Sequence, residues 1–400
     1  MEQYVDFSGG KHPYTRDWKD VDTEFRHNLD LGRQLKNTNY FKKVLPSTLF
    51  EESDDLKKAK AIYYYIQDQM AWNGKFRVSH EIDVKEAYER KSGNSSDINL
   101  SLLCALDAGG LDVKPMLIST RGFAMPVTQF PTINDFTTSI VLLEIGSEKY
   151  FLDVTDKNTP FGILPYRDLN FQGRVMDFKK GSYWEPILPS LKNMHYINAK
   201  IKANENGIFE GQVNEVSTGL ISTEMRNKLS TISMERIRRS KETKSEIVEV
   251  TAYDVENKKD LEKPLKENYN IIVNTEDVGS KTLLFPFFVK PYFTENPFVV
   301  STRAFPIDFG FPITNNYLIS IDLADHYEVV EVPANKLLKL PMNDGELSVV
   351  FDVSGTKINI RLNVRLNNPQ FAPEAYKSLQ EYFDTLNVIQ NDSPIVLKKF

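Results

Sequence analysis

Hydrophobic residues in the first quarter of the chain recur every three or four positions, which is the period of an amphipathic helix. The first such stripe is formed by Trp18, Val21, Phe25 and Leu29. A second helix is predicted over 53–70, with Ser53 as its N-cap, and a third begins after Asp83 and ends at Gly93. The first part of the chain is therefore predicted to be mainly helical.

The stretch 93–110, GNSSDINLSLLCALDAGG, is predicted to form a further helix. Ser95, Ser96 or Asp97 can cap its N-terminus, because their side chains accept hydrogen bonds from backbone N–H groups. Cys104 follows Ser95 by nine positions, which turns it to the opposite face of the helix, and its neighbours are apolar. We therefore expect Cys104 to be an inert core residue.

Beyond this helix the hydrophobic period changes to that of extended chain. VKPMLIST, FTTSIVLLEI and YFLDVT are predicted strands, and the last two are joined by the turn GSEK. A turn centred on Ser147 and Glu148 would place Asp153 across from Leu142, about 13 Å along the strand from Thr138. Helices followed by an antiparallel meander indicate the α+β class.

The Pro-rich segment WEPILPS predicts a boundary between two domains, 1–188 and 189–400. The second domain is predicted to be mostly β, with two sandwich-like layers and helical additions. KINIRLNVRL alternates strictly between apolar and polar residues, which is typical of a sheet with one wet face. One helix is predicted over 222–241, and Pro373 opens the last helix.

Composition and charge narrow the function. The 400 residues are 41% hydrophobic and 26% charged, as in a globular protein, and the net charge is −6. Acidic and basic residues are interleaved, which argues against nucleic acid as the main partner. No apolar run approaches the roughly 20 residues of a membrane span, and the start of the chain has no signal-peptide pattern.

One region of concentrated positive charge is present. It consists of Arg236, Arg238, Arg239, Lys241 and Lys244. Because glutamates surround these residues in the sequence, we interpret the cluster as a solvated helix face.

Two long runs resemble a known family. KSGNSSDINLSLLCALDAGGLDVKPMLISTR, followed by FTTSIVLLEIGSEKYFLDVTDKNTPFGILP, is similar to the transglutaminase-like branch of the papain-type fold. Nearly the whole chain resembles large Gram-negative envelope proteins that carry an N-terminal β domain, this core and a C-terminal β domain. The resemblance implies a periplasmic or envelope location. It also implies that the chain is a fragment, because the N-terminal β domain and a signal peptide are absent from it.

Active members of that family place a cysteine at the start of the central helix, a histidine on one strand and an aspartate on the next. The helix terminus lowers the pKa of the thiol, the imidazole takes its proton, and the carboxylate orients the imidazole. Carried over by position, Gly93, Asp97 and Asp153 match and Asn94 nearly matches. The resemblance puts Ser95 at the cysteine position and Thr138 at the histidine position, so that two catalytic groups are replaced.

The favoured hypothesis is a catalytically inactive transglutaminase-like protein that acts as a binding or scaffolding module in the envelope. No catalytic residue is expected, and Ser95, Thr138 and Asp153 are vestigial triad positions. The expected partner is a peptide, a glycan or another envelope protein, and no cofactor or metal is implied. The candidate binding residues are Asn94, Ser95, Ser96, Asp97, Thr138 and Asp153.

An alternative hypothesis is an active acyl-transfer enzyme or amidase with Ser95 or Ser96 as nucleophile. A serine nucleophile requires a base and a group that orients it, and Thr138 cannot be that base. The histidine nearest this helix in the core segment is His80, which we expect to be an exposed loop residue. Asp153 is expected to be structural.

Overall fold

The computed structural model of the chain describes residues 3–5, 7–13, 17–78, 80–123, 125, 128–129, 131, 133–189, 193–206, 208–242, 248–289, 293 and 295–400. The chain divides into two compact units, Met1–Pro189 and Ser190–Phe400. Both contain helices and largely antiparallel sheets, which confirms the α+β class. Within the described ranges, no helix combines the length and the hydropathy that a bilayer crossing requires.

The helices of the first unit surround one buried helix. They are α1 Trp18–His27, α2 Thr38–Val44, α3 Asp55–Gln69, α4 Val84–Arg90 and α5 Ser95–Ala108. Every residue of α5 from Ser95 to Leu106 is buried, because α2, α3 and α4 pack on one side and a sheet packs on the other. A helix that is covered on all sides is a core element rather than a surface one.

Several predicted helix ends are shifted. The α3 N-cap is Asp54, whose side chain accepts the N–H of Lys57, and not Ser53. Helix α4 ends at Lys91, which has a left-handed φ of 56°, whereas Gly93 already belongs to a short strand. The stripe that starts at Trp18 also ends early, because α1 stops at His27 and Leu29 is exposed.

The main sheet of the first unit has the strand order β7-β6-β5-β8-β9, and each of its pairs is antiparallel. The strands of this unit are β1 Gln3–Val5, β2 Lys11–Pro13, β3 Ala71–Trp72, β4 Ser92–Gly93, β5 Asp112–Ile118, β6 Thr138–Ile145, β7 Glu148–Leu152, β8 Gln172–Val175 and β9 Tyr183–Pro186. Helix α5 packs on β5 and β6. The N-terminus of α5 therefore meets the start of β6.

The second unit is built on a long mixed sheet. Its strands are β10 Met194–Ala203, β11 Phe209–Ser217, β12 Val248–Glu256, β13 Leu265–Val273, β14 Glu276–Val278, β15 Lys281–Leu284, β16 Ile307–Asp308, β17 Ile313–Asp322, β18 Tyr327–Glu331, β19 Lys336–Lys339, β20 Gly345–Ser354, β21 Lys357–Leu366, β22 Gln370–Phe371 and β23 Ile395–Lys399. The long sheet has the order β12-β13-β11-β10-β17-β21-β20-β19, in which β10 and β17 are parallel. A smaller sheet, β14-β15-β23-β18, packs against it where the ring of Phe209 stacks on that of Tyr327.

The helices of the second unit are α6 Gly219–Thr231, α7 Met234–Lys241 and α8 Tyr376–Asn391. The single helix predicted over 222–241 is thus two helices, because Ile232 leaves the helical conformation and Ser233 caps α7 through the N–H of Arg236. Strand β21 alternates between exposed and buried residues as predicted. Helix α8 follows Pro373 and buries its apolar face, also as predicted.

Candidate functional site

The site begins at the N-terminus of α5, which is held by a capping box. Asn94 accepts the N–H of Asp97 at 3.0 Å, and Asp97 accepts the N–H of Asn94 at 2.9 Å. The second oxygen of Asp97 accepts the N–H of Asp83 at 2.9 Å. The N-cap is therefore Asn94 rather than Ser95, Ser96 or Asp97, and the Asp97 carboxylate is fully engaged with backbone.

Gly93 precedes the cap at a point of very close packing. A Cβ built at this position would lie 2.6 Å from Cβ of Asp97 and 3.0 Å from Cβ of Ala87. Such distances are well below van der Waals contact, so only glycine fits here without a backbone shift. Gly93, Asn94 and Asp97 therefore have an architectural role that accounts for their presence in the sequence.

Ser95 and Thr138 meet directly. Thr138 Oγ1 donates to Ser95 Oγ at 2.6 Å, and the backbone N–H of Arg77 points to the same oxygen at 3.4 Å. Both side chains are buried, with exposed fractions of 0% for Thr138 and 1% for Ser95. The structure thus brings together Ser95 and Thr138, two of the candidate residues of the sequence analysis, and joins them by a hydroxyl–hydroxyl hydrogen bond.

Ser96 has a separate set of partners that the sequence did not indicate. Its hydroxyl donates to the carbonyl of Arg77 and accepts from the backbone N–H and the hydroxyl of Ser139, at 3.1 and 2.9 Å. Ser96 is entirely buried. Its oxygen is therefore saturated by three groups and attaches the first turn of α5 to β6.

Asn99 is a further residue that sequence reasoning missed. Its side-chain amide donates to the carbonyl of Ser139 at 2.9 Å, and its oxygen accepts the N–H of Val154 at 2.9 Å. Asn99 lies four positions after Ser95, on the same face of the helix. A polar residue at that spacing, in an otherwise apolar stretch, was the signal that could have identified it.

The hairpin β6–β7 differs in register from the expectation. Ile145 pairs with Glu148 and Val141 pairs with Leu152, so the turn is Gly146–Ser147 and not Ser147–Glu148. Gly146 has a φ of 60°, which a two-residue hairpin turn requires at its first central position. Extending this register by one residue places Asp153 opposite Ile140, about 7 Å along the strand from Thr138 instead of 13 Å.

Asp153 nevertheless has partners other than Thr138. One oxygen accepts the N–H and hydroxyl of Thr155, at 2.7 and 2.5 Å, and the other lies 3.2 Å from Arg167 Nη2. Burial by itself would raise the pKa of this carboxyl, but Arg167 and the hydrogen bonds outweigh it and hold the pKa below its ordinary value. Asp153 is thus a buried carboxylate with satisfied oxygens.

Arg167 connects Asp153 to a second buried carboxyl. Its guanidinium lies 3.8 Å from Asp168 and stacks 4.9 Å from the centre of the Trp72 ring. Burial and the neighbouring Asp153 raise the pKa of Asp168 well above its ordinary value. Among the described residues, neither carboxyl oxygen of Asp168 has a hydrogen-bond partner. No sequence pattern indicated this cluster, because Arg167 and Asp168 lie in a short 3-10 helix beyond the hairpin, where hydrophobic period predicts no element.

The chemistry available at this site is limited by its groups. In the described part of the chain, the partners of Ser95 Oγ are a hydroxyl and an amide, and neither can take a proton as an imidazole does. His80 is exposed, as expected. Cys104 is buried, points to the carbonyl of Gln34 and has its pKa raised to about 12 by burial, so its thiol is unreactive.

A metal site is not evident either. Within the described ranges, no three His, Cys, Asp or Glu side chains are grouped closely enough to hold a metal ion.

The basic cluster of the second unit differs from the solvated face that was predicted. Arg238 and Arg239 pair with Glu235 as expected of surface residues. Lys241, however, has only 13% of its side chain exposed and bridges Glu215 at 2.7 Å and Glu267 at 2.9 Å. The prediction was wrong for Lys241, because the last turn of α7 faces two strands that are distant in sequence. Lys244 lies outside the described residues.

Comparison with known proteins adds a likeness of fold. A family model, a domain of unknown function with a solved structure (DUF3858), matches residues 280–397, which lie in the second unit. A solved structure from Parabacteroides distasonis ATCC 8503, described as "a putative protease", resembles 95% of this chain at 9% identity with a TM-score of 0.50. The chain spans 57% of that protein's length. Among curated proteins, none matches this chain.

Proposed function

We propose that the first unit is a transglutaminase-like domain without catalytic activity, and that the protein serves as a scaffolding or binding module of the bacterial envelope. The observation that carries this proposal is the hydrogen bond between Thr138 Oγ1 and Ser95 Oγ. By the family resemblance, these two residues stand where active members of the family have a thiol and an imidazole. The likeness of fold to a larger protein described as a protease supports the choice of fold.

The physical case for inactivity concerns the proton of Ser95. A helix N-terminus stabilises a negative charge by about 0.3 to 1 kcal/mol, which is far too little to ionise a hydroxyl at neutral pH. Thr138 offers no basic atom, and Asp153 is engaged with Thr155 and Arg167. Nucleophile, base and orienting group are all needed together, and two of them are replaced here.

Between scaffolding and ligand binding, the geometry of the six candidate residues favours scaffolding. Their exposed fractions range from 0% to 4%, and their polar atoms are engaged with each other and with backbone. A peptide or glycan end would have to break these hydrogen bonds to reach them, at a cost of about 1 to 3 kcal/mol for each group left unpaired. We propose that these residues hold the N-terminus of α5 against β6, and that any partner binds to other residues of the chain.

Reaction with a serine-directed fluorophosphonate probe tests the absence of catalysis. We expect no stoichiometric labelling of the purified chain, because the hydroxyl of Ser95 lacks a base. Ser101→Ala provides the matched control, since Ser101 lies on the same helix and donates to the carbonyl of Asp97. Labelling that is lost in Ser95→Ala and retained in Ser101→Ala would refute the proposal and support an active amidase.

The proposed envelope location is tested separately. The supporting observation is the resemblance of the sequence to envelope proteins. Fractionation of cells that express the protein from its own gene should place it in the periplasmic or envelope fraction. Recovery in the cytoplasmic fraction would contradict this part of the proposal and leave the conclusion about catalysis unaffected.

A further inference from the structure

The second unit contains a cavity of about 550 Å³. Its floor is formed by β10, β11 and β13, and its walls are formed by α6, α7 and the link between these helices. Glu224 and Lys228 line it and are themselves more than half exposed, so the cavity reaches the surface. A volume of this size is within the range of about 300 to 1,000 Å³ that small-molecule sites occupy.

The acidic and basic side chains that line the cavity are equal in number when floor and walls are taken together. Glu215 accepts from Lys241 and His195 Nε2, each at 2.7 Å, and from the hydroxyl of Tyr269 at 2.5 Å. Glu267 accepts from the same lysine at 2.9 Å and from a tyrosine hydroxyl. The two acids of the floor thus share one lysine. Glu224, Lys228 and Arg236 on the walls complete a set of three acidic and three basic side chains, so the lining as a whole has no net charge that would select an ion of either sign.

Two polar atoms on the same floor have no partner. Within the described part of the chain, His195 Nδ1 and Ser217 Oγ are both buried and make no hydrogen bond. Ser217 is 4% exposed, and both residues line the cavity. His195 lies directly opposite Ser217 in the pairing of β10 with β11, so their Cβ atoms are about 5 Å apart. Buried polar atoms without partners are uncommon in native proteins, because each one costs free energy.

The chemistry of these atoms defines a complementary group. His195 Nε2 faces the Glu215 carboxylate and donates to it, which leaves Nδ1 as an acceptor in the neutral ring. Ser217 Oγ can donate or accept. A group that bonds to both must therefore donate, and it gains most if it also accepts. A carboxylate cannot donate to Nδ1. An ammonium group cannot accept from Ser217 Oγ, and it would give the balanced lining a net positive charge.

We propose that this cavity is a binding site for a neutral molecule with a hydroxyl or carboxamide head on an apolar body. The head bonds to His195 Nδ1 and Ser217 Oγ. The body contacts the apolar side chains of the walls, which include Ile221, Met225 and Ile237. This site lies in the second unit and is independent of the function proposed for the first.

Four probes with one apolar body and different heads test the site. Hexanol, hexanamide, hexanoate and hexylamine are titrated into the full chain labelled with ¹³C at the Ile and Met methyl groups, and NMR shifts are followed. We expect hexanol and hexanamide to shift the methyl resonances of Met225 and Ile237. Hexanoate and hexylamine should bind at least tenfold more weakly, because they lack an acceptor–donor match on the floor.

Two serine variants separate specific binding from filling of an empty space. Ser217→Ala removes a hydroxyl that has no hydrogen-bond partner among the described residues, so the fold is expected to persist. The affinity for hexanamide should fall about tenfold. Ser240→Ala is the matched control, since Ser240 also lines the cavity but donates to the carbonyl of Ile237 at 2.6 Å. It should leave the affinity unchanged.

Three results would overturn the proposal. The first is that none of the four probes shifts the Met225 or Ile237 methyl groups, which would mean that the cavity holds only water. The second is equal binding of hexanoate or hexylamine. The third is hexanamide binding that is insensitive to Ser217→Ala while methyl resonances elsewhere show an intact fold.

Discussion

Two buried polar clusters, one in each unit, differ in whether their hydroxyl groups have hydrogen-bond partners. At the start of α5, Ser95 bonds to Thr138 and Ser96 bonds to Ser139 and Arg77. In the cavity of the second unit, the carboxylates are paired, but Ser217 Oγ and His195 Nδ1 lack partners among the described residues. A saturated cluster stabilises its own fold, whereas atoms left without partners indicate a place for a ligand.

The largest predicted effect concerns Lys241, the cation that the two carboxylates of the second cluster share. Lys241→Met should lower the free energy of unfolding by about 3 to 5 kcal/mol, because two buried carboxylates then lack their shared partner. Chemical denaturation measures it. Lys228→Met is the control: its pair with Glu224 is exposed and should contribute less than about 0.5 kcal/mol. Equal effects of the two variants would show that the Lys241 network contributes no more to the free energy of unfolding than an exposed ion pair does.

The second prediction concerns how the ionisation of Asp168, in the first unit, makes the free energy of unfolding depend on pH. Its pKa in the folded state is raised, so the protonated form is favoured on folding, and stability falls as the pH rises above the ordinary value of 3.8. Asp168→Asn cannot ionise. Its stability relative to the wild type should therefore increase steadily from pH 4 to pH 7.

Asp177 provides a control of opposite sign for that experiment. Burial raises its pKa, but the N–H groups of Lys179 and Lys180 outweigh burial and hold the pKa below its ordinary value. Asp177→Asn should therefore lose stability relative to the wild type as the pH rises, because the ionised carboxylate stabilises the fold. Urea unfolding at several pH values measures both variants. If the difference in stability between Asp168→Asn and the wild type does not change with pH, the raised pKa is contradicted.

The third prediction uses a double-mutant cycle to test the hydrogen bond between Ser95 and Thr138 at the start of α5. Ser95→Ala and Thr138→Val should each cost about 1 to 2 kcal/mol, since each leaves a buried hydroxyl with a lost partner. The double variant should cost clearly less than the sum, because both ends of the hydrogen bond are then apolar. Purely additive effects would mean that the two hydroxyls are not coupled.

The smallest predicted effect is a substitution that is neutral or slightly stabilising, whereas the variants in the double-mutant cycle are destabilising. Ser217→Ala should leave stability unchanged or raise it by less than about 1 kcal/mol, because the hydroxyl it removes has no hydrogen-bond partner among the described residues. Ser96→Ala should instead lower stability by about 1 to 2 kcal/mol, because it removes an oxygen with three partners. Thermal unfolding of both variants compares them directly. A loss of stability in Ser217→Ala would show that its oxygen is already satisfied.

Much of the local structure could be predicted, because local signals determine it. The alternation of β21, the buried apolar face of α8 and the helical conformation of α5 all follow from hydrophobic period. The turn of the β6–β7 hairpin was misplaced by one residue, since GSEK allows two positions for it. The φ of Gly146 selects the observed one and moves Asp153 toward Thr138.

The contacts that define the two clusters depend on tertiary structure. The family resemblance indicated Ser95 and Thr138, but their hydrogen bond requires the register of α5 on β6. Lys241 has the sequence surroundings of a surface residue, and its buried position follows only from the packing of α7 on β11 and β13. No sequence period links residues so far apart.

The parallel pairing of β10 with β17 has a consequence for how the second unit is made. Met194 pairs with Thr314, and β17 in turn pairs with β21. During synthesis, β10 and β11 leave the ribosome as a hairpin whose outer edge stays open until the chain has been extended well beyond residue 300. Such long-range pairing slows folding and exposes a sheet edge to aggregation. Truncation before β17 should therefore yield an insoluble product.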